Sequence, residues 1–98
     1  MQIEMSFKGM DSSDRLKEFT RDKTERLHKF FEGKFHARWT FSNERNLYQV
    51  GVRLTGQDLD EHVESESGNL FTVVEEAVEK LERILQKNKE VARDHRRG

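Results

Sequence analysis

The chain contains no cysteine and no proline. Without thiols there is no disulfide framework, no cysteine-ligated zinc and no cysteine nucleophile, which fits a reducing compartment. Long apolar runs are missing as well, since hydrophobic residues never stand more than two or three together. That excludes a membrane-spanning segment. The opening MQIEMSFKG lacks the apolar stretch of a signal peptide, so a cytoplasmic protein is expected. Large apolar side chains are scarce: Leu, Ile, Val and Phe make up 24 of 98 residues, slightly above the roughly 20% at which chains become disordered. The core must be small. A chain of this length holds one domain, and neither a repeat nor linker composition marks a second.

Charge is what the sequence has in quantity, 38% of all residues, with a net value of only −1. Residues 1–40 carry +2, residues 41–79 carry −7 and residues 80–98 carry +4. The last fifth is distinctly basic. Such asymmetry fits a polyanionic partner, and it also describes a solvated helix end.

Apolar and polar residues alternate from Gln2 to Lys8, with Ile3, Met5 and Phe7 in phase, which predicts a strand with one buried face. The oxygen-rich Asp11-Ser12-Ser13-Asp14 then predicts a helix start near Ser13. Leu16, Phe19, Leu27, Phe30 and Phe31 share one helical face, Thr20 and Lys23 fill its middle turns, and Gly33 ends it. Phe35, Ala37, Trp39 and Phe41 define a second strand, and Asn43-Glu44-Arg45-Asn46 the turn after it. Tyr48, Val50, Val52 and Leu54 define a third, closed by Gly56-Gln57-Asp58. The fourth, Leu59 to Ser65, has Glu61 in its inward phase, which predicts a short strand or an edge. Asn69 caps a final helix carrying Leu70, Val74, Ala77, Val78, Leu81 and Leu85, expected to end near Val91.

The predicted class is α+β in the order β-α-β-β-β-α: a four-stranded mixed sheet with both helices on one face. The domain spans residues 1–92, and residues 93–98 form a basic, frayed tail. The other sheet face is wet, displaying His36, Arg38, Thr40, Gln49, Arg53, Thr55, His62 and Glu64.

No catalytic constellation can be assembled. His28, His36, His62 and His95 have no metal-ligand spacing, and the sequence has no glycine-rich phosphate loop. Neither a cofactor nor a small-molecule substrate is expected, and the protein is not expected to be an enzyme. The acidic stretch Asp58, Asp60, Glu61, Glu64, Glu66 lacks a calcium-loop pattern and suits a strand edge. The strand aromatics all fall on the inward phase, so the open face cannot stack RNA bases as an RNA-recognition motif does.

The helices say more. Lys80, Arg83 and Lys87 stand at i, i+3 and i+7, a basic stripe away from the core face. Arg15, Arg26 and Lys29 gather on the first helix with Lys23 at its core edge, and two helices on one side of a sheet would bring the stripes together. Glu76 and Glu79 stand four residues before Lys80 and Arg83, so helix salt bridges alone could account for those two. Lys87 has no such partner. The charge pattern supports nucleic-acid binding and protein interaction equally.

The sequence resembles the short ribosome hibernation-promoting factors, also described as ribosome-associated inhibitors or sigma-54 modulation proteins. The likeness runs from Met1-Gln2-Ile3 to about Lys89 through Ser13-Asp14-Arg15-Leu16-Lys17-Glu18-Phe19, Lys23, Arg26-Leu27, Phe31, His62, Glu66 and Lys80-Leu81-Glu82-Arg83. The resemblance implies a factor that binds 16S rRNA of the small ribosomal subunit in the mRNA and tRNA channel and silences translation in stress or stationary phase. It assigns rRNA contacts to Lys23, Arg26, Lys80, Arg83, Lys87 and Lys89, and the helical wheel adds Arg15 and Lys29. Asn69-Leu70-Phe71 stands where the family usually has Asp-Met-Tyr, removing a phenolic hydroxyl, and Glu61 replaces a usually apolar residue. A free monomer without a membrane partner is expected. The alternatives are a protein-protein adaptor using the acidic third and fourth strands, or a double-stranded RNA-binding domain of similar topology.

Overall fold

The alternating patterns form the sheet they predict. A computed structural model describes residues 2–97, with side-chain surroundings for residues 2–88. The elements are β1 (Gln2–Lys8), α1 (Asp14–Glu25) followed by a 3₁₀ turn (Arg26–Lys29), β2 (Phe35–Glu44), β3 (Leu47–Gly56), β4 (Leu59–Ser67) and α2 (Leu70–Arg97). The sheet order is β1-β2-β3-β4, with β1 parallel to β2 and the other pairs antiparallel. This is the expected α+β class and β-α-β-β-β-α order. Among the described residues no helix is long and apolar enough to cross a membrane.

Inward residues of three strands, Phe35, Ala37, Trp39, Phe41, Val50, Val52, Leu54, Leu59 and Val63, are buried against Leu16 and Leu27 of the first helical segment and six residues of α2. Phe41 lies between Phe7, stacked 4.9 Å away, and Trp39 at 5.8 Å. Thr20 and Thr24 are also buried, and their hydroxyls donate to the carbonyls of Leu16 and Thr20 at 2.8 and 2.6 Å. Each threonine thereby satisfies its own polar atom within the helix.

Three boundaries differ from expectation. The first helix leaves α geometry after Glu25 and tightens into the 3₁₀ turn, so Phe30 and Phe31 lie beyond it. Threonine hydroxyls bonded to carbonyls one turn back favour such a bend. β4 reaches nine residues, because Glu61 still pairs with Leu54 and its carboxylate accepts from Asn88 Nδ2 at 3.3 Å. It is the edge strand that Glu61 implied. α2 runs past Val91 to Arg97, with no Gly or Pro between Leu70 and Arg97 to stop it.

Gly56 is fixed by close approach. A Cβ there would lie 2.9 Å from the Lys34 carbonyl oxygen, so the loop before β2 passes where only glycine leaves room.

Candidate nucleic-acid interface

The N-terminus of α2 is set by Asn69, whose Oδ1 accepts from the backbone N–H groups of Phe71 and Thr72 at 2.9 and 3.1 Å. Ser13 does the same for α1, accepting from Leu16 N–H at 3.1 Å. These caps, with the apolar faces, fix how each helix rotates over the sheet.

Lys80, Arg83 and Lys87 are all exposed along one stripe of α2. The helix salt bridges that would neutralise them are not made. Glu76 accepts instead from Ser65 Oγ on β4 at 2.9 Å. Lys80 Nζ crosses to β4 and donates to the backbone carbonyl of Glu64 at 2.5 Å. Among the described residues the ion pairs are Arg38–Glu4 and Arg53–Asp60, with His36 Nε2 3.3 Å from Glu4, and none of these is on a helix. Among the described residues, Arg83 and Lys87 therefore enter no ion pair. The side chain of Lys89 lies outside the described residues.

Arg15, Arg26 and Lys29 are exposed, and Lys23 is half-buried. The Arg15 guanidinium carbon lies 5.6 Å from the Phe71 ring centroid, and Lys23 Nζ 5.3 Å from that of Phe19. Arg15 and Lys23 do not join the α2 stripe. Stepping around α2 at about 100° per residue, Phe71, Glu82, Glu75, Gln86, Glu79, Thr72, Arg83, Glu76, Lys87 and Lys80 follow one another over half a turn. Phe71 faces α1, Lys80 faces β4, and a ridge of glutamates stands between. The rotation of α2 that creates this separation is a tertiary fact, and wheel spacing alone does not contain it.

The open sheet face is self-neutralising by contrast. Arg38 and Arg53 pair across β2 and β3, but Arg38 Nε donates to Glu4 at 3.2 Å and Arg53 grips Asp60 through two bonds of 3.0 and 2.8 Å. The hydrogen bond from Arg38, helped by the nearby His36, holds the Glu4 carboxyl below its usual range. Arg53 likewise lowers Asp60 and is itself raised. Among the described residues no group of three His, Cys, Asp or Glu could hold a metal ion.

The family model described as sigma 54 modulation protein / S30EA ribosomal protein matches residues 3–93. Two solved structures share the fold. The N-terminal domain of Thermus thermophilus Protein Y superposes with a TM-score of 0.84 at 19% identity, covering 89% of this chain and 98% of that one. A ribosomal subunit interface protein from Coxiella burnetii gives 0.81 at 24% identity, covering 92% and 99%. No curated protein matches the chain.

Proposed function

This chain belongs to the sigma 54 modulation protein / S30EA ribosomal protein family, and on that premise we propose that it is a ribosome hibernation factor. It binds the small subunit in the channel for mRNA and tRNA, through 16S rRNA phosphates, and inhibits translation in stress or stationary phase. It acts in the cytoplasm by occupying the site and catalyses nothing. The supporting observation is the pair Arg83 and Lys87, exposed on α2 with the nearby glutamates Glu76 and Glu79 not paired to them. Exposed cations are what a phosphate backbone recruits, each contact releasing a counterion.

Arg83→Glu with Lys87→Glu tests the reading more cleanly than a variant that also alters Lys80, which covers the β4 edge. Wild-type protein should sediment with small subunits and whole ribosomes, less so as salt rises. The double variant should stay folded and remain in the supernatant. Its retention on ribosomes would sink the assignment of α2, and binding to RNA duplexes as readily as to ribosomes would favour a general double-stranded RNA binder.

A further inference from the structure

Arg15, Phe19 and Lys23 recur every four residues on α1 and so line one face. That face meets the start of α2. Phe19 contacts Phe71 edge-on, with centroids 5.0 Å apart and planes at 89°. With Arg15 over Phe71 and Lys23 over Phe19, the four side chains form an unbroken row: cation, ring, ring, cation. The Phe71 backbone is held by the Asn69 cap, and both rings are half-buried. The row has a fixed base.

Its charge is unanswered. Among the described residues neither Arg15 nor Lys23 enters an ion pair. Arg15 is the second residue of α1 and sits against the second residue of α2. The aligned peptide dipoles make the potential at both helix starts positive, an unfavourable place for a cation. The negative ring face offsets part of that cost. Contact with a ring leaves guanidinium donors available to an anion.

Resting on the RNA-binding reading above, we propose that Phe71 and Phe19 are positioning residues that hold Arg15 and Lys23 as a pair for RNA phosphates. This is a second contact region, separated from Arg83 and Lys87 by the glutamate ridge.

The test titrates the full-length chain with purified small ribosomal subunits over a salt series, comparing Phe71→Leu, Phe71→Tyr, Arg15→Gln and the Phe71→Leu/Arg15→Gln double variant. Thermal unfolding of each sets a temperature at which all are folded. Phe71→Leu should weaken binding about two- to fivefold, the range of an exposed cation–ring contact, and Phe71→Tyr should bind like wild type. Arg15→Gln should lower the slope of log K against log salt by about 0.7 to 1. The double variant should be no weaker than Arg15→Gln, because the ring acts through that arginine. Additive losses, wild-type affinity in Phe71→Leu, or an unchanged salt slope in Arg15→Gln would each overturn the proposal. If wild type binds and Arg83→Glu/Lys87→Glu does not, those results refute the aromatic seat alone. A wild-type chain that fails to bind refutes both readings.

Discussion

Arg45 and Asn46 form the two-residue turn between β2 and β3, both at positive φ, 52° and 67°. Such turns match the sheet twist, but each central residue must adopt the left-handed region. Asn tolerates that region, whereas the Arg Cβ meets a penalty of about 1–2 kcal/mol. Arg45→Asn should therefore stabilise the protein by about 0.5–1 kcal/mol, read as a Tm rise of a few degrees. The sequence located this turn within Asn43-Glu44-Arg45-Asn46 but not which two residues form it, because strand pairing extends through Glu44 and Leu47. Thr20 was legible as part of the core face. Thr24 was not: a threonine reads as surface until its hydroxyl is seen bonded to the preceding turn.

The strands were the most legible elements, since a period of two leaves one arrangement of Phe35, Ala37, Trp39 and Phe41 against a core. Their exposed face makes a prediction of its own. Glu4 and Asp60 are held below their ordinary values of 4.5 and 3.8 by Arg38 and Arg53. A carboxylate lowered in the folded state stabilises the fold above its unfolded pKa, and that contribution is lost as pH falls through the lowered value. Tm should thus fall on acidification from about pH 5, and Glu4→Gln/Asp60→Asn should show a shallower fall over the same range. High salt should narrow the difference, because both pairs are exposed. Helix ends were less legible than strands. Where α1 tightens depends on hydroxyl bonds, and the α2 stripe looked neutralised because Glu76 and Lys80 stand four apart while their actual partners lie on β4.

Over the whole molecule, the net charge of −1 conceals two cationic regions divided by Glu75, Glu79 and Glu82. Spacing disclosed the basic residues but not their division, which depends on how α2 sits against α1. The ridge should repel the ligand that both flanks attract. Glu75→Gln/Glu79→Gln is accordingly expected to tighten small-subunit binding severalfold at low salt, the gain shrinking as screening lengths shorten. Equal gains at low and high salt would argue against a field effect.

Trp39 is the only tryptophan, fully buried at the centre of the sheet and stacked on Phe41. Among the described residues its indole N–H meets no hydrogen-bond acceptor, and the ring is packed within the apolar core cluster. The molecule thus carries a built-in fluorescent gauge of its own integrity, emitting at short wavelength when folded and shifting to the red once water reaches the ring. None of the surface substitutions above touches it, so one optical signal separates a variant that has lost its ligand from one that has lost its shape.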